Sequence, residues 1–481
     1  MKNAIVHNKI AEISKVSFIA PFPFLALVIA LLVGGGALVI VGPYALIVVL
    51  GVLIMTSIII LRQDELAIVA VIAVQLIVDW YLGLHFVSQV IALVLLSIFF
   101  LIRSPRYPWV VPPTLWLWVL FLILPIPAVI QGARGLFDLA FYYPNIFFGA
   151  LVMFWLGMLI AKNRTHLRTL FWVLAVFGAL LALHTIIQAT TGIIVFDTSR
   201  FDVYLAGVSN FGLANSNVNR AGSFFENPDW NGTFFAMMLF LPLGLFTEAA
   251  SFLQKFLYFT EMLLISIALL FTYSIGAWIG ALGGMVAFIL FAGRSYFRIL
   301  VPVLMVIIGV ILVMVFPAQV NFQFQHLSNP GEFSLRFGAW KTAINVIRAF
   351  PITGIGLGFT NYSQRTQPYA DPAQYISLAH PHNSYLELGA MAGLPVLIVF
   401  LALLLFALWQ AWRNWLQVDR SFRCLLGGGL ATIVALSVNS VSINGWTLPP
   451  LAVIGWLVLG SISSPLITGK EPVEEKEREN P

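Results

Sequence analysis

The chain has 481 residues, of which 60% are hydrophobic and 9% charged, with a formal net charge of +5. An average soluble domain carries roughly 25% charged residues, so this composition excludes a soluble globular enzyme, a disordered protein and a coiled coil. The mild basic excess fits cytoplasmic loops and lipid headgroups rather than nucleic acid, and the single cysteine, Cys424, excludes an internal disulfide.

Apolar runs of about 20 residues, the length that crosses a hydrocarbon core, recur from end to end. In chain order the predicted spans are 16–34, 38–61, 65–83, 87–102, 109–130, 145–161, 169–190, 231–247, 256–273, 276–292, 299–316, 393–411, 424–441 and 448–466. This predicts an all-α fold, a polytopic membrane helix bundle of about 14 transmembrane helices. The N-terminal MKNAIVHNKIAEISK has no small-residue cleavage site and leads into an uncleaved first span. Residues 1–190 hold the first seven helices, 191–230 a first extracytoplasmic loop, and 231–316 helices 8 to 11. Residues 317–392 form a large extracytoplasmic loop, 393–466 the last three helices, and 467–481 a solvated cytoplasmic tail. Cys424 reads as a small packing residue at the start of a span.

Sidedness follows from the basic residues. With the N-terminus inside, eighteen of the 25 Lys and Arg fall on the cytoplasmic face. The other seven are Arg134, Arg200, Arg220, Arg336, Lys341, Arg348 and Arg365. This bias predicts both termini in the cytoplasm and both long loops outside. Long loops carry function or are disordered. These two hold aromatics, Asn-Pro and glycine punctuation, which predicts ordered structure.

The second loop contains SLRFGAWKTAINVIRAF, Ser334 to Phe350. At about 100° per residue, Arg336, Trp340, Ala343, Ile347 and Phe350 share one face, and Lys341, Asn345 and Arg348 the other. The pattern is an amphipathic helix with Asn345 at the centre of its polar face. Arg336 is the exception, a cation on the apolar face in the first turn, where a charge directed into the protein meets an anion. Lys341 and Arg348 read as solvated or headgroup charges. In PITGIGLGFTNY, Pro351 stops the helix, and Gly354, Gly356 and Gly358 permit tight turns or close backbone approach. Their spacing does not follow a strand of a βαβ unit, which excludes a nucleotide loop.

In AHPHNSYLELGAMAGLP, Pro381 suits the first turn of a helix running into the span at 393, with His382 and Asn383 in that turn. The positive helix end disfavours imidazolium, so His382 is expected to be neutral and able to act as a general base. His380 and His382 form a His-x-His pair, which alternatively binds a metal, but no further ligand spacing completes a familiar site. In the first loop, NRAGSFFENPDWNGTFFA, Asn227-Pro228-Asp229 launches a new helix, with Asp229 and Asn231 read as helix-capping residues. Arg220 stands on the same side of the membrane as Arg336 and offers a second anion contact. Within the spans Asp79, His184 and Glu261 form no mid-membrane carboxylate relay.

Four segments in this order resemble the O-antigen ligase and polymerase superfamily of bacterial membrane glycosyltransferases. They are Arg220 with FFENPDWNGTFFA, Arg336 with Trp340, PITGIGLGF, and HNSYLELGAMAGLP. The resemblance implies an inverting, metal-independent, cofactor-free transfer of a glycan from an undecaprenyl-diphosphate carrier, in a bacterial inner membrane. The implied partners are that donor, a lipid or glycan acceptor and the bilayer, with no nucleic acid. By resemblance His382 matches the general base, Arg336 the arginine that holds the diphosphate, and Arg220 a frequently basic position. Asn383, Tyr385 and His380 are grouped with the arginines as substrate-binding candidates. One position departs from the pattern. Many relatives carry Ser-Arg-Gly where this chain reads Ser274-Ile275-Gly276. Arg220 or another outside cation then supplies the missing charge, or the donor differs, or activity is lost. The leading expectation is a ligase. A polymerase on the same carrier and a small-anion or inorganic-carbon transporter are the alternatives.

Overall fold

The structure, a computed structural model, describes residues 64–82, most of 89–97, 112–132 apart from 113, 141–191, 220–291 apart from 226, 296–321 apart from 319, 324, 330–374 and 378–468. The expected spans 16–34 and 38–61, most of 87–102, most of the first loop and the C-terminal tail lie outside these residues.

Every regular element among the described residues is helical. The chain runs through α1 (Asp64–Leu82), α2 (Leu115–Ile123), α3 (Ile126–Gly132), a π-helical segment (Phe141–Phe148), α4 (Gly149–Ile160) and α5 (Arg164–Thr191). It continues with α6 (Pro228–Met238), α7 (Phe240–Glu248), α8 (Phe252–Thr272), α9 (Ile275–Phe291) and α10 (Phe297–Val315). Then come α11 (Pro330–Ala349), α12 (Phe359–Arg365), α13 (Ser384–Ala392), α14 (Leu394–Gln417), α15 (Arg420–Asn439) and α16 (Pro449–Ser463). Eight helical stretches among the described residues are long and apolar enough to cross a membrane, and Ile275–Phe291 and Pro302–Val315 are shorter apolar helices.

Lipid tails are as apolar as leucine, so helices in a bilayer associate through close packing and polar contacts rather than hydrophobic burial alone. The sequence supplies both. Gly276, Gly280 and Gly284 recur every four residues on one face of α9. A Cβ at Gly280 would lie 2.7 Å from the Ala435 carbonyl oxygen of α15, and one at Gly284 would lie 2.9 Å from that of Ala431. The backbones of α4 and α16 meet at Gly157 and Gly460, and a Cβ at Gly460 would run into the Phe154 carbonyl. Asn439 Nδ2 donates to Thr233 Oγ1 at 2.6 Å, joining α15 to α6. Asn414 Nδ2 donates to the carbonyls of Ile462 and Ser464, joining α14 to the end of α16. Cys424 is fully buried in α15, as its size suggested. Gly460→Val is expected to destabilise the bundle by about 1–3 kcal/mol, the range for overpacking, seen as a lower thermal midpoint in detergent.

Side-chain contacts among the connecting segments gather in two places. In one, Arg164 donates to Glu248 at 2.8 Å, Asp419 at 3.1 Å and the Ser421 hydroxyl. The other collects residues 220–227, the 272–275 turn, the 330–393 segment and the 440–448 loop. The candidate site lies there.

Candidate functional site

The helix start at Asn227-Pro228 forms as the sequence predicts. Asn227 is the cap, its side chain accepting the Asp229 N–H at 2.8 Å, and Pro228 occupies the first turn. Asp229 and Asn231 do not cap. Asn231 Nδ2 donates to Thr185 Oγ1 and to the Ala221 carbonyl. The Asp229 carboxylate accepts from Arg220 Nη2 at 2.8 Å. Its other oxygen lies 3.8 Å from Arg336 Nη2. The capping expectation for these two residues is therefore corrected: Asn227 satisfies the helix start, leaving the Asp229 carboxylate free to face two guanidinium groups.

Arg220 is held rigidly. Its Nε–H donates to the Thr272 carbonyl at 3.0 Å, and its side chain is 10% exposed. The backbone beside it is pinned by Ala221 N–H donating to the Phe271 carbonyl and by Ser223 N–H donating to Gln188 Oε1. Its guanidinium therefore stands over the turn that contains Ser274 and Ile275. In that turn Tyr273 has φ +52°, and the Ser274 side chain hydrogen-bonds Asp229.

Arg336 is held more loosely. Nη1 donates to the Ser442 carbonyl at 3.2 Å, the Asp229 contact is long, and the side chain is 25% exposed. The helix carrying it, α11, covers the predicted stretch, but its buried face is rotated from the expected one. Ala339, Thr342, Ala343 and Val346 are buried, whereas Phe350 is exposed and Trp340 half-buried. The helix packs by small residues against α13 and the 367–374 segment. Asn345 donates to the Tyr369 carbonyl, Thr342 Oγ1 accepts the Asp371 N–H, and Lys341 Nζ lies 3.8 Å from Asp371. Arg336 thus sits on the flank of the buried face, where it reaches Asp229 and the 440–448 loop.

The glycine segment following α11 makes the close approaches its composition allowed. Gly354, Gly356 and Gly358 all have positive φ, at +67°, +103° and +120°. Ile355 and Gly356 N–H groups donate to the carbonyls of Ala390 and Met391, and Leu357 N–H to that of Ala128. Orphan carbonyls at the end of α13 are thereby satisfied, and the segment ties α13 to α3.

The loop before α13 departs from expectation in detail. Asn383, not Pro381, starts the helix: its side chain accepts the N–H groups of Tyr385 and Leu386. The helix also stops at Gly393, φ +92°, before α14 begins. His382 therefore precedes the helix, in a left-handed conformation with φ +52°, a geometry that costs a non-glycine residue about 1–3 kcal/mol and concentrates at functional sites. Its N–H donates to His380 Nδ1 at 3.2 Å, and the two rings lie 4.3 Å apart. The His382 pKa is lowered to about 4, first by burial and then by the Arg336 guanidinium, with Asp229 acting in the opposite sense. His382 is thus neutral at neutral pH, chiefly through burial and the neighbouring cation.

The sequence-predicted residues fall into two groups. Arg220, Arg336 and His382, from three separate stretches, come together around Asp229, with His380 directly beside His382. Asn383 and Tyr385 build the scaffold: Asn383 caps α13, and Tyr385 Oη donates to the Ser437 carbonyl of α15. Among the described residues no group of three His, Cys, Asp or Glu side chains stands close enough to hold a metal ion. Asp229 is the site residue that sequence reasoning missed. Its only signal was one more carboxylate than the helix start required.

This combination, two arginines opposite a neutral histidine at one end of an apolar bundle, can neutralise an anion and accept a proton. No curated protein matches the chain in sequence. Residues 262–401 match a protein-family model described as O-Antigen ligase, a stretch that contains the 272–275 turn, Arg336, the glycine segment and the histidine loop but begins after Arg220 and Asp229. Over that stretch the chain is similar to the O-antigen ligase superfamily.

Proposed function

We propose that the protein transfers a glycan from an undecaprenyl-diphosphate carrier to a lipid or glycan acceptor at the extracytoplasmic face of a bacterial inner membrane. The observation that carries this reading is the convergence of Arg220, Arg336 and His382 on one carboxylate. His382 accepts the proton of the acceptor hydroxyl as the oxygen attacks the anomeric carbon. The bond from that carbon to the diphosphate oxygen breaks, and the electron pair leaves with the diphosphate. A single displacement inverts the anomeric configuration. His382 then passes its proton to solvent.

Arg336 meets the departing charge. Guanidinium forms paired hydrogen bonds to phosphate oxygens, and charge that develops in the transition state is where a fixed cation acts most strongly. Arg336 is the one to move onto the donor, because its present contacts are long and it is partly exposed. Arg220, locked to Thr272 and Asp229, supplies fixed positive charge over the 272–275 turn. This is the charge that Ile275 lacks. Asp229 holds both guanidinium groups before the donor arrives. Asn383 and Tyr385 contribute by fixing the start of α13.

Reconstitution with a polyprenyl-diphosphate glycan and candidate acceptors, followed by identification of the product, tests the reading. Transfer off the carrier is expected for a ligase. Chain extension on the carrier would make the protein a polymerase with the same site. Solute uptake without any transfer would overturn the assignment in favour of a transporter.

A further inference from the structure

Behind His382 lies an acid that the reaction above does not use. Glu387 is in the first turn of α13, with its side chain 1% exposed and neither carboxyl oxygen meeting a well-aligned donor. Its Oε2 lies 4.0 Å from His380 Nδ1. Burial pushes the Glu387 carboxyl up to about 8, against the opposing effect of the Thr447 hydroxyl beside it. The same Nδ1 accepts the His382 N–H. An amide N–H can only donate, so Nδ1 carries a lone pair and His380 is the neutral tautomer with its proton on Nε2. Burial also holds the His380 pKa well below the ordinary value. Phe359 packs on the His380 ring at 5.5 Å.

We propose that Glu387 is a positioning residue for glycan transfer: as an uncharged acid it leaves the His380 Nδ1 lone pair to the His382 N–H, and that bond holds the left-handed loop that aims the His382 ring. The inference rests on His382 acting as the base. When Glu387 loses its proton to solvent, a buried carboxylate faces a lone pair. The charge then favours the other His380 tautomer, with the proton on Nδ1 and directed at Glu387. His380 stays neutral, but Nδ1 has become a donor and the bond from His382 N–H is lost. The titratable groups facing this pair are Tyr362 of α12, which interacts with Glu387, and His382. Arg336 of α11 and Asp229 of α6 act on His382.

The test uses the full chain in lipid nanodiscs, with transfer rates measured across pH and 15N-histidine spectra assigned through His380→Asn. Wild-type rate is expected to fall about tenfold between about pH 7 and pH 9, as a single acid titrating near 8 ionises. Glu387→Gln, which matches the neutral acid in shape and cannot ionise, keeps the neutral-pH rate and removes the alkaline fall. His380→Asn, whose side-chain oxygen can accept the same N–H, retains more activity than His380→Phe. In wild type the His380 proton is expected on Nε2 at neutral pH and on Nδ1 above the transition. An unchanged alkaline fall in Glu387→Gln, or a His380 proton on Nδ1 at neutral pH, would overturn the proposal. The spectra read the tautomer without any substrate. A wild-type chain that shows the tautomer change but transfers no glycan would therefore count against the proposed activity and leave the positioning link standing.

Discussion

Replacing His382 with alanine is expected to lower glycan transfer about 10²- to 10⁴-fold, the contribution of a positioned general base, with the amount of protein in the membrane near wild type. The ring lies at a loop before α13, outside the helix–helix contacts of the bundle, so its loss removes chemistry rather than packing. His382→Asn is the sharper variant, because asparagine tolerates the left-handed conformation and has no basic nitrogen. It too should be inactive. The pH dependence has a definite sign. A histidine titrating at about 4 rather than 6.5 is in its base form at neutral pH. Activity should therefore hold as pH falls through 6.5, where an ordinary histidine would lose it, and decline only near 4. A wild-type rate in either variant would remove His382 from the reaction.

Arg336→Ala is expected to cost about 10²- to 10³-fold in kcat/KM, the magnitude for losing one group that stabilises transition-state charge. Arg348→Ala, on the same helix but exposed and away from Asp229, should stay within about twofold, as surface changes do. Arg336→Lys should recover little. An ammonium can neutralise charge, but it does not reproduce the forked contacts of a guanidinium. Equal losses at positions 336 and 348 would mean that general positive charge matters and the Asp229 cluster does not.

Much of this site was legible from the sequence because charge is so scarce in it. Arg336 drew attention as a cation on an apolar helical face, and it does reach a carboxylate. The Asn227-Pro228 helix start and the glycine segment after α11 also form as read, since turn chemistry is local and survives tertiary packing. Other features depend on contacts that no local pattern encodes. The buried face of α11 is set by small residues, Ala339 and Ala343, meeting α13 and the 367–374 segment, whereas periodicity ranks large apolar residues first. Asp229 in a first helical turn looks like ordinary dipole compensation; only the distant Arg220 and Arg336 reveal its use. Glu387 looks equally ordinary, and its burial depends on how residues 440–447 fold over the start of α13. The low histidine pKa was expected from a helix end, whereas burial and Arg336 lower it. The break at Gly393 separates two helices that hydropathy does not distinguish.

The central claim is that the cluster of Arg220, Asp229, Arg336 and His382 receives a diphosphate. The most direct measurement is the affinity of the nanodisc-embedded chain for a short polyprenyl diphosphate without glycan, compared among wild type, Arg336→Ala and Arg348→Ala. Wild type and Arg348→Ala are expected to bind alike, with binding weakened by salt, and Arg336→Ala to bind at least about tenfold more weakly, a charge-assisted contact being worth roughly 1.5–3 kcal/mol. Undiminished binding by Arg336→Ala, or no binding by wild type, would contradict it.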